Sequence, residues 1–156
     1  MDRAGSFDSI AIERVVFGRD ASEVLDEEVE RLGSWRVYAL VSESLRRNTD
    51  AIDRAASALG ERLAGVYSGM PPHTPRESVV EAANAAREQE ADLIVTIGGG
   101  SLTDAGKVVQ LCLEHGVETP EALGEFATRT SADGVVTTPP IREPKVRQIS
   151  VPTTLS

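Results

Sequence analysis

Short apolar runs and amphipathic stripes alternate along most of this chain. Apolar runs bounded by turn-forming residues predict strands, whereas apolar residues at three- and four-residue spacing predict helices. The run that ends at Val41 is almost continuously apolar, which is typical of a strand buried in a parallel sheet. The sequence predicts strands at 14–18, 35–41, 63–67, 93–97 and 146–151.

Glycine, proline and capping residues mark the helix boundaries. Gly33, Gly60 and Gly116 lie at the ends of three apolar stripes, where glycine commonly ends a helix. Thr119 and Pro120 are typical of a helix cap and the first helical residue. The alternation of elements predicts an α/β fold, a parallel sheet flanked by helices with right-handed crossovers. The predicted helices are 20–32, 42–60, 76–89, 101–115 and a short one after 119, with loops at 68–75 and 137–144.

Three consecutive glycines, Gly98, Gly99 and Gly100, follow a predicted strand directly and precede a predicted helix. Glycine lets the backbone approach a phosphate closely, and a helix N-terminus presents N–H groups and the positive end of its dipole. The turn therefore predicts a phosphate or diphosphate site. It lacks the G-x-G-x-x-G spacing of the common dinucleotide-binding motif.

Ser101 and Asp104, just after the glycines, fit a capping box in which Ser101 caps the helix and Asp104 bonds back to it. On a functional reading, Ser101 contacts the phosphate and Asp104 faces the cleft. Lys107 is either a surface lysine or a cleft residue. Because ligands of parallel sheets bind outside the carboxyl ends of strands, Ser42–Glu43 and the 152–154 loop are further candidates.

The composition of the chain limits the kinds of partner that it is expected to bind. The formal net charge is −9 and aromatic residues make up 4% of the 156 residues, which argues against nucleic acid and an anionic membrane as partners. Any phosphate site is therefore local and built from backbone amides. The absence of a recognisable signal sequence or a long apolar run makes a cytoplasmic location the expectation.

The remaining reactive side chains carry weaker signals. Cys112 lies on an apolar helical face and is expected to fill space in the core. His73 stands in a loop, and His115 in a last helical turn where it complements the dipole. No two histidines have the spacing of metal ligands, so the sequence shows no metal site and no nucleophile with a base.

The motif Gly-Gly-Gly-Ser-x-x-Asp-x-x-Lys at 98–107, followed by Val-Pro-Thr-Thr at 151–154, resembles the iron-containing (group III) alcohol dehydrogenase family. The resemblance extends over residues 14–156. Val-Val-Phe-Gly at 15–18 also fits, and His-Thr-Pro at 73–75 is similar to the maleylacetate reductase branch. The resemblance implies a Rossmann-like N-terminal NAD(P)-binding domain over residues 1–156. The helical C-terminal domain, with its divalent metal (iron or zinc) and most of the substrate pocket, is expected beyond Ser156.

By the same resemblance, Gly98, Gly99, Gly100 and Ser101 would hold the cofactor diphosphate. Asp104 would sit beside the cofactor cleft, and Thr153 and Thr154 would line its adenosine side. Ser42 occupies a position that often holds a ribose-binding aspartate, which leaves NAD and NADP both open. The neighbouring Glu43 would oppose a 2′-phosphate.

Several functions stay open at this point. The first is a metal-dependent NAD(P)-linked dehydrogenase or reductase acting on a small alcohol or carbonyl substrate, with maleylacetate reduction as a variant. Alone, the 156 residues are expected to bind a nucleotide without efficient hydride transfer. The others are a non-catalytic nucleotide-binding module or fragment and, more weakly, an enzyme of the dehydroquinate synthase type. The predicted strand at 15–18 would also suit pairing across a homodimer.

Overall fold

The computed structural model describes residues 12–154. Four parallel strands form the main sheet, in the spatial order β2-β1-β3-β6. A separate antiparallel ribbon, which the sequence did not predict, is made by β4 and β5. The strands are β1 (Val37–Val41), β2 (Leu63–Tyr67), β3 (Leu93–Gly98), β4 (Arg129–Thr130), β5 (Val136–Thr137) and β6 (Arg147–Pro152).

Helices cover both faces of the sheet and confirm the predicted α/β class. One face packs against α1 and α3, and the other against α4, α5 and α6. Every residue of β1 and β3, the two central strands, is buried. The helices are α1 (Ala21–Leu32), α2 (Glu43–Asn48), α3 (Ala51–Leu59), α4 (Arg76–Glu88), α5 (Gly100–His115) and α6 (Pro120–Gly124).

The connections around β1 and β3 diverge. From β1 the chain leaves through α2 and α3 to β2 on one side, and from β3 it leaves through α5 and α6 toward β6 on the other side. Because α3 and α5 also pack on opposite faces of the sheet, the two connections separate above the carboxyl ends of β1 and β3. This is the position in open α/β sheets where a crevice for a ligand forms.

Two sequence predictions differ from the structure. The helix predicted at 42–60 is two helices, because Thr49 is extended (φ −143°, ψ 165°) between them. Its hydroxyl donates to the Leu45 carbonyl at 2.8 Å, beside the Thr49 N–H that donates to the same carbonyl at 3.0 Å. The hydroxyl also accepts from the Ala51 N–H at 3.3 Å, so it satisfies a donor that would bond to a backbone carbonyl in a continuous helix.

The second difference concerns the strand predicted at 14–18. In the structure, residues 12–19 contain no strand. A strand requires a hydrogen-bonding neighbour, and within the described residues neither edge strand pairs with this segment. Val15 and Phe17 are 70% and 89% exposed. Pairing of this segment across a homodimer stays a prediction. No helix within residues 12–154 is long and apolar enough to cross a bilayer.

Candidate functional site

The glycine turn ends β3 and begins α5. Gly98 is the last residue of β3 and lies opposite Pro152 of β6. Gly99 is the N-cap of α5, with an extended backbone (φ −79°, ψ −176°), and the helix starts at Gly100. Two of the three glycines therefore belong to the flanking elements, and the chain changes direction within one residue.

The capping box predicted for Ser101 and Asp104 is wrong. Ser101 is the second residue of α5, and no described side chain caps this helix. Asp104 instead pairs with Lys107, whose Nζ lies 3.0 Å from Oδ1. Gly99 occupies the cap position and has no side chain that could accept a hydrogen bond. The N–H groups of Gly100 and Ser101, at the start of α5, are therefore left for another acceptor.

Backbone hydrogen bonds bring three strand ends together at this turn. The Ser42 N–H donates to the Ile97 carbonyl at 2.9 Å, and the Thr153 N–H donates to the Gly98 carbonyl at 3.0 Å. Ser42 follows β1 and Thr153 follows β6, so the residues after β1, β3 and β6 form one edge. These are the loops that the sequence analysis singled out.

The surroundings of the glycines differ from one to the next. A Cβ on Gly98 would clash with the end of the Leu102 side chain and lie 3.3 Å from the Ser42 Cβ. A Cβ on Gly99 would lie 3.1 Å from the Thr154 Oγ1. A Cβ on Gly100 would meet no atom within 4 Å. The turn is therefore closed toward the protein at Gly98 and Gly99 and open at Gly100.

A residue that the sequence analysis did not assign, Thr74, contacts the same turn. Its hydroxyl donates to the Ser101 carbonyl at 3.1 Å. Thr74 and the exposed His73 both have positive φ, at 53° and 66°. The 73–75 motif was visible in the sequence, but its contact with α5 depends on how the loop after β2 folds back.

The start of α2 shapes the side of the site near Ser42. The Ser42 hydroxyl caps α2 by accepting from the Leu45 N–H at 3.5 Å. Beside it, the Ser68 hydroxyl and then Arg47 lower the pKa of Glu43, whose Oε1 lies 2.7 Å from the Arg47 Nε. Glu43 therefore stays ionised at neutral pH and is bonded through Oε1 to Arg47, while its Oε2 is buried without a hydrogen-bond partner among the described residues.

The other reactive side chains have structural roles. Cys112 is buried in the core as predicted, and burial raises the pKa of its thiol to about 11, which disfavours the reactive thiolate. His115 accepts the Arg142 N–H at 3.0 Å and packs edge-on against Phe126. Across residues 12–154, no group of three or more His, Cys, Asp or Glu side chains is placed to hold a metal ion. The described residues therefore do not supply the ligand set that a metal would need.

Comparison with known proteins settles the family. The model of the family described as iron-containing alcohol dehydrogenase matches residues 13–156. The chain belongs to this family. The resemblance inferred from the 98–107 and 151–154 motifs is thereby confirmed.

Individual relatives agree with this assignment. Maleylacetate reductase 2 of Cupriavidus pinatubonensis is 41% identical over 104 residues, which are 67% of this chain and 28% of that protein. NADH-dependent butanol dehydrogenase A of Clostridium acetobutylicum is 34% identical over 106 residues, which are 67% of this chain and 27% of that protein. An iron-containing alcohol dehydrogenase structure from Thermococcus thioreducens has a TM-score of 0.72 at 27% identity, covering 90% of this chain and 35% of that one. The chain thus spans less than a third of the length of the curated relatives it matches.

Proposed function

We propose that this chain forms the diphosphate-binding part of the cofactor site in an NAD(P)-linked oxidoreductase. The enzyme would transfer hydride between the nicotinamide ring and an alcohol or carbonyl substrate. The observation that carries the proposal is the glycine turn, which lies at the divergence between β1 and β3 and is open at Gly100. Family membership supports the same reading.

The backbone would do the binding. The N–H groups of Gly100 and Ser101 belong to the first turn of a 16-residue helix, at the positive end of its dipole. Each charge-assisted hydrogen bond from such an amide contributes about 1.5–3 kcal/mol. This attraction is local, whereas the overall charge of −9 acts through solvent and is screened beyond about 8–10 Å. An acidic chain can therefore bind an anionic cofactor at this turn.

The neighbouring strand ends would position the rest of the cofactor. Thr153 and Thr154 lie against Gly98 and Gly99 and would contact the adenosine side. Ser42 would lie near the ribose, where its neutral side chain admits either NAD or NADP. When bound, the cofactor supplies the hydride donor or acceptor. The residues described here hold and orient it.

Maleylacetate reduction is a second, finer candidate. Two observations favour it. The His-Thr-Pro motif at 73–75 contacts the start of α5, next to the glycine turn, through Thr74. A relative with 41% identity is named maleylacetate reductase 2. The full product of the gene should then consume NADH faster with maleylacetate than with butanal. The reverse preference would reject this candidate and leave the cofactor proposal standing.

The cofactor proposal is tested by titrating the chain with NADH and following nucleotide fluorescence. We expect saturable binding that Gly99→Val abolishes, because its side chain would crowd Thr154 and fill the turn. Gly124→Ala, in α6, is the matched control, because the added Cβ would meet only the flexible end of the Arg76 side chain. The proposal fails if the unaltered chain shows no saturable signal, or if Gly99→Val binds normally.

A further inference from the structure

The loop at 68–75 connects two of the elements that border the glycine turn. At its start, the Arg46 Nη1 of α2 donates to the Ser68 hydroxyl at 3.0 Å. In its middle, Met70 is half-buried against the core beneath α4 and α5. Near its end, the Thr74 hydroxyl donates to the Ser101 carbonyl of α5 at 3.1 Å. The loop is therefore attached to the helix that follows β1 and to the helix that follows β3.

The backbone of this loop is strained at the point of contact. His73 and Thr74 adopt the left-handed region consecutively, and a β-branched residue such as threonine rarely does so. Such a conformation persists when surrounding contacts hold it. Here the Thr74 N–H bonds to the Pro71 carbonyl at 3.4 Å, and the hydroxyl bonds to Ser101.

The Thr74 contact extends into the turn through two peptide groups. The carbonyl of Ser101 shares a rigid peptide plane with the Leu102 N–H, which donates to the Gly99 carbonyl at 3.0 Å. The Gly99 carbonyl in turn shares a peptide plane with the N–H of Gly100. The hydroxyl of Thr74 thus restricts the orientation of an amide at the open part of the turn.

We propose that Thr74 is a positioning residue for the cofactor diphosphate. It fixes the peptide groups of Ser101 and Gly99, so that the first amides of α5 are oriented before the ligand arrives. The inference rests on the proposed cofactor site. It assigns to the 68–75 loop a part in cofactor affinity that is exerted through α5, without contact between Thr74 and the ligand.

The test compares Thr74→Val, which removes the hydroxyl at equal shape, with Thr74→Ser, which keeps it. Binding of NADH and of ADP is measured by calorimetry, and amide hydrogen exchange is measured over residues 100–103. We expect Thr74→Val to weaken both nucleotides about fivefold, the effect of losing one ordinary hydrogen bond. Exchange in the first turn of α5 should rise in the same variant. Thr74→Ser should stay within twofold of the unaltered chain in both measurements.

A second variant covers the case in which Thr74→Val folds poorly. Thr74→Gly accepts the positive φ without strain and also lacks the hydroxyl, so it should fold and show the same fivefold loss. Normal nucleotide affinity in Thr74→Gly or in a folded Thr74→Val overturns the inference, as does an equal loss in Thr74→Ser. Failure of the unaltered chain to bind NADH or ADP would instead overturn the proposed function, and this inference with it.

Discussion

The Thr153 N–H donates to the Gly98 carbonyl at 3.0 Å, which places the end of β6 directly beside the glycine turn at the end of β3. The same approach leaves a hypothetical Cβ on Gly99 within 3.1 Å of the Thr154 hydroxyl, while Gly100 faces open space. The glycines are therefore constrained for different reasons. Gly98 and Gly99 are constrained by protein contacts, and Gly100 by the ligand we propose.

Gly100→Ala should separate stability from binding. Alanine is the better helix former by up to about 1 kcal/mol, and its methyl group would meet no protein atom within 4 Å. We expect an unchanged or slightly higher midpoint of thermal unfolding together with about tenfold weaker NADH binding, measured on the same sample. Gly124→Ala, in α6, is the control for helix propensity. A variant that keeps full affinity would show that the ligand does not approach Gly100.

Ser42→Asp should shift the cofactor preference toward NADH. Aspartate also caps helices, so α2 should be retained, while the new carboxylate would accept from a ribose hydroxyl and repel a 2′-phosphate. We expect the ratio of NADPH to NADH affinity to fall at least tenfold in paired titrations. Ser42→Asn, which caps without charge, should change this ratio little. An unchanged ratio in Ser42→Asp would place the ribose elsewhere.

His73→Gly should stabilise the fold. Residue 73 has φ 66°, and a left-handed backbone costs a non-glycine residue about 1–2 kcal/mol. Glycine avoids this strain, but its unfolded chain has more conformational freedom to lose on folding, which cancels part of the gain. We expect a gain of about 0.5–1 kcal/mol in the free energy of unfolding by urea denaturation. Destabilisation would mean that the histidine side chain makes a contact that outweighs the strain.

Tyr67→Phe should change stability at alkaline pH. Burial and the hydrogen bond to Glu81 raise the pKa of Tyr67 from 10.0 to about 12. Because the folded chain holds the proton more tightly, this contribution is complete below pH 10 and is lost as the pH rises toward 12. Unfolding curves of the unaltered chain should therefore show a fall in stability across that interval, which Tyr67→Phe reduces. Parallel curves for the two proteins would contradict this assignment.

The sequence was sufficient for the main elements because their signals are local. The stripe ending at Gly33 became α1, and Gly33 takes the left-handed conformation expected of a helix-ending glycine (φ 68°). The runs ending at Val41 and Ile97 became the fully buried central strands. Periodicity and turn chemistry determine such elements with little help from distant residues.

The site depended on contacts that no local pattern contains. Three identical glycines do not show where a strand ends and a helix begins, and pairing of Gly98 with Pro152 of β6 determines that Gly99, and not Ser101, caps α5. The role of Thr74 likewise depends on a loop that follows β2, two strands away from β3 across the sheet. The sequence therefore indicated which loops meet at the glycine turn, whereas the contacts between them depend on the folded chain.

The most direct test of the central claim is amide NMR mapping of the chain during titration with ADP, which carries the diphosphate without the nicotinamide. The account predicts that the largest shifts fall on Gly99, Gly100 and Ser101, with smaller shifts at Ser42, Thr153 and Thr154. The amides near His115, at the other end of α5, should not move. Saturable shifts centred elsewhere, or no saturable shift at the glycine turn, would contradict it.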